Sequence, residues 1–170
     1  MKWSHSELER LEDKQLEFNE TISFAPESLE RIERLRDLKD VHIVGKGYFD
    51  QITQRFYVDM HITGAMVVPC AITLDDIHLP LDFTAFEIFS FVKVEDDEAV
   101  NEVQGEYLDL LPILFQLILM EVPWKVVKEG LTEYPKGEGW EVIREEDFNK
   151  KEKGIDPRLA KLKEFIPSDD

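Results

Sequence analysis

The groups with which this chain could do chemistry are four histidines, one cysteine and several runs of carboxylates. Tyr57, Asp59 and His61 lie two residues apart, so on a strand their side chains share one face. Such a trio can orient a general base, and Asp59 with His61 would serve a carboxylate- and histidine-dependent hydrolase. The same alternation also describes the polar solvent face of an antiparallel sheet, and that reading is preferred. His5, His42, His61 and His78 include no pair at the four-residue spacing of a metalloprotease helix. Glu95-Asp96-Asp97-Glu98 lacks the Asp-x-Asp-x-Asp-Gly pattern of a calcium loop, and like charges in a loop repel and solvate. Cys70 follows Pro69 in an apolar stretch with no base nearby, which reads as an inert, half-buried thiol. One cysteine can make neither an intrachain disulfide nor a cysteine-based zinc site. No catalytic residue, metal or cofactor is expected.

Tyr134 and Trp140 stand among Lys128, Lys136, Arg144, Lys150, Lys151 and Lys153. Aromatics interleaved with bases can bind single-stranded nucleic acid. Here Glu133, Glu138, Glu141, Glu145, Glu146 and Asp147 interrupt the run, so Trp140 reads first as an anchor for the segment. Lys150, Lys151 and Lys153 are the candidates for direct RNA contact.

The elements that must position these groups read as α+β. Ser4 and Glu7 form a capping box that starts a helix to about Leu11, with Trp3 placed to staple onto Leu8. Leu16, Phe18, Ile22 and Phe24 alternate as a half-buried strand. Leu29, Ile32, Leu35 and Leu38 recur every three residues, which predicts an amphipathic helix. Val41, Ile43 and Phe49 mark a strand interrupted at Gly45 and Gly47. Phe56, Val58, Met60 and Ile62 give the cleanest period of two in the chain, Gly64 turns or bulges, and the strand continues to Ile72. Leu79, Leu81 and Phe83 alternate, then Phe86 and Ile88 take the opposite parity, which predicts a β-bulge near Ala85 or two short strands. A loop runs to Gly105, and Asp109 caps a helix from Leu110 to Met120 with Pro112 in its first turn. That helix is apolar nearly all round and is expected to be buried. The whole is a mainly antiparallel sheet or partly open barrel over residues 1–124. Residues 125–170 form an arm packed on it, ending in a short helix opened by Asp156 and Pro157.

The 170 residues carry 37 acids and 20 bases, a net charge of −17. Nucleic-acid affinity comes largely from Lys and Arg displacing counterions, so this balance opposes phosphate binding as a dominant activity. The deficit is local: residues 57–122 hold 13 acids and one base, Lys93, whereas the flanking segments are nearly balanced. The first residues lack the apolar run of a signal peptide, and the longest apolar stretch, Tyr107 to Met120, falls short of a membrane span. With a single cysteine, the expected location is the cytoplasm.

Three stretches, in order, resemble the YceD family of large ribosomal RNA subunit accumulation proteins. They are Val67-Val68-Pro69-Cys70-Ala71-Ile72-Thr73-Leu74 with Leu79-Pro80-Leu81, then Leu108-Asp109-Leu110-Leu111-Pro112-Ile113 running into Leu119-Met120-Glu121-Val122-Pro123, and then Ile155-Asp156-Pro157-Arg158-Leu159-Ala160-Lys161-Leu162. Many members carry Cys-x-x-Cys at the first stretch and further cysteines after the second. Here Thr73 stands where the second cysteine would be, and residues 128–135 keep Gly130-Leu131 and no cysteine. A zinc site, if some members have one, is therefore lost here. The resemblance implies a non-enzymatic accessory factor in large-subunit ribosome biogenesis, acting in the accumulation of large-subunit ribosomal RNA. An acidic domain suits a basic ribosomal protein or assembly intermediate as partner, since opposite charge speeds encounter and enforces specificity. Asp75, Asp76, Asp82 and Glu87 are the candidate docking residues, and Asp156, Pro157 and Arg158 would position the arm. A hydrolase, or an adaptor unrelated to ribosomes, is the alternative.

Overall fold

The computed structural model describes residues 1–94, 99–131, 134–143 and 148. The chain divides into two units, Met1–Glu129 and Gly130–Asp170. Residues 125–129 thus group with the first unit: the Ala71 N–H donates to the Val126 carbonyl, and Lys128 Nζ lies 3.5 Å from Asp75 Oδ2.

The first unit is built on a five-stranded sheet of order β2-β3-β4-β5-β6. Its strands are β2 (Gln15–Ile22), β3 (Asp37–Asp50), β4 (Arg55–Pro69), β5 (Asp76–Ser90) and β6 (Val100–Glu102). The first four are antiparallel neighbours, and β6 adds in parallel to the end of β5. The sheet is open, with β2 and β6 at its edges. Beside it, β1 (Lys2–Ser4) pairs with β7 (Tyr107–Asp109). Among the described residues, three α-helices, α1 (His5–Glu9), α2 (Pro26–Leu29) and α3 (Leu111–Glu121), and a short 3-10 helix at Glu12–Lys14 complete the unit. This is an α+β fold, mainly antiparallel.

The capping box forms as read. Glu7 N–H donates to Ser4 Oγ at 3.2 Å, and Ser4 N–H donates to Glu7 Oε2 at 2.7 Å. The Ser4 N–H first, and then the Ser4 hydroxyl, which donates to Glu7 Oε2 at 2.7 Å, hold the Glu7 carboxyl below its usual range. Trp3 packs against the Phe18 ring, 5.4 Å between centroids.

The period-three run is not a long helix. Only Pro26–Leu29 is helical. Beyond it the Ile32 N–H donates to the Leu29 carbonyl and the Leu35 N–H to the Ile32 carbonyl. Successive turns closed over three residues return an apolar side chain every third position, as a helix face nearly does, so Leu29 and Leu35 are buried without one. Leu38 already belongs to β3. The spacing from Leu38 to Val41 reflects a register shift between Lys39 and His42 opposite Gly64, where a side chain would press on the Lys39 and Asp40 carbonyls.

Gly45 and Gly47 do not interrupt β3. A Cβ on Gly45 would lie 2.1 Å from Phe18 Cζ, and one on Gly47 would lie 2.1 Å from Phe56 Cζ. Each glycine is the slot into which a neighbouring strand's aromatic ring lies flat. The expected bulge in β5 is also absent: pairing with β4 runs without a break from Arg55↔Ser90 to Pro69↔Asp76. Phe86 and Ile88 therefore point to the other face of the sheet rather than restoring an inner one. The stretch read as a loop to Gly105 contains β6, which Asn101 ties down by donating to Glu87 Oε2 at 2.7 Å.

One face of the sheet is the core. Ile43, Phe49, Phe56, Val58 and Ile62 are buried there, in one cluster with Leu8, Leu35, Leu108, Leu110, Leu114 and Ile118. Helix α3 occupies the expected place. It buries the stripe Leu114 and Ile118, flanked by Leu110 and Val122, while Met120 is exposed. Asp109 Oδ1 accepts from the Leu111 N–H at 3.1 Å at its start.

In the second unit, β8 (Lys136–Gly137) and β9 (Trp140–Glu141) form a hairpin. Gly139 turns it at φ +83°, and the Trp140 ring lies over Gly137. The expected helix at Asp156, Pro157 and Arg158, the bases Lys150, Lys151 and Lys153, and the run Glu95-Asp96-Asp97-Glu98 lie outside the described residues.

Candidate functional site

The second face of the sheet is open. Strand register places its side chains in rows across four strands. One row is Glu17, Lys46, Asp59 and Phe86, and the next is Asn19, Val44, His61 and Thr84. These two rows wall a trough of about 1030 Å³. Between them runs Phe18, Gly45, Met60 and Ala85, whose side chains face the core and whose backbone floors the trough. Gly45 is therefore doubly placed: it admits the Phe18 ring on one side and lies in the trough floor on the other.

Tyr57, Asp59 and His61 do share this face, as the alternation requires. His61 Nε2 lies 2.7 Å from Asp82 Oδ1, an ion pair when the imidazole is protonated. Its orienting carboxylate is thus Asp82 on the neighbouring strand and not Asp59. Thr84 stands directly opposite His61, and both side chains of the His61–Asp82 pair are more than half exposed. Tyr57 stacks on Phe86, with ring centroids 6.5 Å apart and planes 22° apart. Phe86 is 54% exposed and Tyr48, across from Tyr57, 48%.

The four docking candidates do not form one cluster. Asp75 and Asp76 sit at the β4–β5 turn, Asp75 beside Lys128 and Asp76 on Arg36 Nη1 at 2.5 Å. Asp82 shares the open face and holds His61. Glu87 has the opposite parity, opposite Val58 on the core side, where it accepts from Asn101. Two of the aromatic residues on the open face, Tyr48 and Phe86, were missed by sequence reasoning, whereas Tyr57 was not. Phe86 had a signal, its odd parity, but that read as a bulge because apolar residues default to the inside.

Cys70 is fully buried rather than half-buried. Its thiol is pulled down to about 6, first by the Thr73 hydroxyl and then by backbone N–H groups of Lys128, Thr73 and Ile72. Hydrogen bonds to the thiolate do here what a neighbouring base would do elsewhere. The signal was Thr73, three residues on. Because the folded value lies below the unfolded 9.0, this group's contribution to stability is fully present above pH 9 and is lost as pH falls through about 6. The stability difference between the protein and Cys70→Ala is therefore expected to grow from pH 6 to pH 9, read by urea unfolding. A flat difference over that range would show that the thiolate is not favoured. Among the described residues no three His, Cys, Asp or Glu side chains are gathered to hold a metal. No helix among them is long and apolar enough to cross a membrane.

Fold and site together define an α+β protein whose open sheet covers its core with one face and presents a polar and aromatic trough with the other. The chain belongs to the YceD family: residues 58–166 match the family described as Large ribosomal RNA subunit accumulation protein YceD. It is 32% identical over 176 residues to the protein of Bacillus subtilis (strain 168) called "Uncharacterized protein YlbN", an alignment that covers 100% of this chain and 99% of that one. No solved structure is a significant match.

Proposed function

We propose that this protein is a non-catalytic accessory factor in the accumulation of large-subunit ribosomal RNA, acting in the cytoplasm by binding a basic ribosomal protein or an assembly intermediate. The process comes from the family to which the chain belongs. The observation that carries the mode of action is the trough itself. It is wide, open along four strands and lined by exposed side chains, which suits a docked chain better than a small substrate. Hydrolysis gains its rate from groups held in a water-excluded site. His61 and Asp82 are instead solvated, each side chain more than half exposed. The acidity of residues 57–122 favours a basic partner over phosphate.

Gradient fractionation of cells carrying the tagged protein, with crosslinking, tests this reading. The expected result is sedimentation with large-subunit precursors, recovery of a basic ribosomal protein, and a deletion strain depleted in large-subunit RNA. A protein that stays at the top of the gradient, with normal subunit ratios in the deletion strain, overturns it. So does turnover of RNA or esters by the purified protein that His61→Ala abolishes.

A further inference from the structure

We propose that the Asp59 and Phe86 end of the trough, with Tyr57 stacked beside it on the same face, seats an arginine side chain from an extended, basic protein segment laid across the strands. This rests on the reading of the protein as a binder of a basic partner, and names where and how the partner is gripped.

In the row Glu17, Lys46, Asp59, Phe86, the lysine has an acid on either side. It turns to one of them, with Lys46 Nζ 3.0 Å from Glu17 Oε1. The other acid in reach of this face, Asp82, is occupied by His61. Asp59 is left exposed and makes no ion pair with any described residue. It lies directly opposite Phe86 and two residues from Tyr57 on the same face, so the stacked ring pair stands beside the free carboxylate.

A carboxylate next to an exposed aromatic face is a receptor for a cation. A guanidinium suits it best, because the planar group lies flat on a ring while its edge donates two parallel hydrogen bonds to the carboxylate. An ammonium makes the same charge contact without the fork or the flat stack. The chain already uses this chemistry elsewhere: Arg34 lies 4.1 Å from the centre of the exposed Trp124 ring. A nucleic acid would also find rings on which to stack a base, but its phosphates would meet Asp59, Asp82 and Glu17. The trough's length across four strands suits a segment in extended conformation, with neighbouring residues over Val44 and Thr84.

Fluorescence anisotropy on the full chain tests the site. The probes are a labelled Arg-Gly repeat peptide, Lys-Gly and Glu-Gly counterparts, and a single-stranded uridine oligonucleotide. The variants are Asp59→Asn and Phe86→Ala, both at exposed positions, with Glu20→Gln as an exposed acid off this face. The Arg-Gly peptide is expected to bind tightest. Asp59→Asn and Phe86→Ala are each expected to weaken it about tenfold, and Glu20→Gln to leave it unchanged. Binding should weaken as salt rises. Arg-Gly binding no tighter than Glu-Gly, equal affinity in all variants, or a uridine oligonucleotide that binds tighter and depends on Phe86 each overturns the proposal. The same variants separate it from the wider reading. If Asp59→Asn with Phe86→Ala fully restores ribosomal RNA in a deletion strain that is depleted of it, the arginine seat falls and the accessory role stands. If the deletion strain is not depleted, the accessory role falls and the peptide result is judged on its own.

Discussion

Gly47→Ala is expected to lower the stability of the protein by about 3 kcal/mol, the upper end of what overpacking a filled core usually costs. The added Cβ would sit 2.1 Å from Phe56 Cζ, well inside van der Waals contact. Phe56 is fully buried at the centre of the sheet, so its ring has no free volume to swing into. Gly45→Ala sets up the same clash with Phe18, but Phe18 lies on the edge strand β2 and retains some exposure, so its ring can tilt outward. The Gly45 substitution is therefore expected to cost about 1–2 kcal/mol, less than its neighbour. A double-mutant cycle identifies the mechanism. Phe56→Ala alone removes a buried ring and should cost about 4 kcal/mol. Combined with Gly47→Ala, the total should fall well short of the two single costs added, because the ring that clashed is gone. Additive costs in urea unfolding would mean that Gly47 matters through its backbone and not through the ring it admits.

Local pattern reports a local cause, and where the cause lies in another strand the pattern misleads. The alternation from Phe56 to Ile62 is dictated by one strand with one buried face, and it reads true. The capping box is settled within four residues and also reads true. Gly45 and Gly47 look like breaks because the rings that occupy their place come from residues 18 and 56. Phe86 looks like a slip of register because its partner, Tyr57, is across a strand boundary. The period of three from Leu29 to Leu38 mixes stacked turns with a strand entered through a bulge, and no single element has that period.

The candidate site shows the same division. That Tyr57, Asp59 and His61 share a face follows from their spacing alone. That Asp59 has no ion-pair partner among the described residues while Asp82 holds His61 depends on the pairing of β4 with β5 and on which way Lys46 turns. Charge count alone selected Asp75, Asp76, Asp82 and Glu87 as one docking face. Parity sends Glu87 to the core side, and Arg36 and Lys128 partner the two acids at the turn. Net charge marks a region that suits a basic partner; which carboxylate is left to meet it is a matter of register.

The second large effect concerns helix α3. Its eleven residues, LPILFQLILME, are too few for a stable isolated helix, so its stability comes from the face it packs. Apolar residues occur all round it, and sequence alone assigns no preferred side. Packing does: Leu114 and Ile118 have no exposed surface, whereas Met120 is 80% exposed. Leu114→Ala is expected to cost about 3 kcal/mol, from lost burial and the cavity left behind. Met120→Ala should stay within about 0.5 kcal/mol. Equal effects in urea unfolding would mean that the helix is buried all round. The stripe joins the same core cluster as Phe56, Val58 and Ile62, on the face of the sheet opposite the trough. Leu114→Ala should therefore leave the affinity for an Arg-Gly peptide unchanged at temperatures where the variant is folded. Asp59→Asn should do the reverse, weakening the peptide without moving the unfolding midpoint. That crossed pair of outcomes would separate what the core face holds together from what the open face binds.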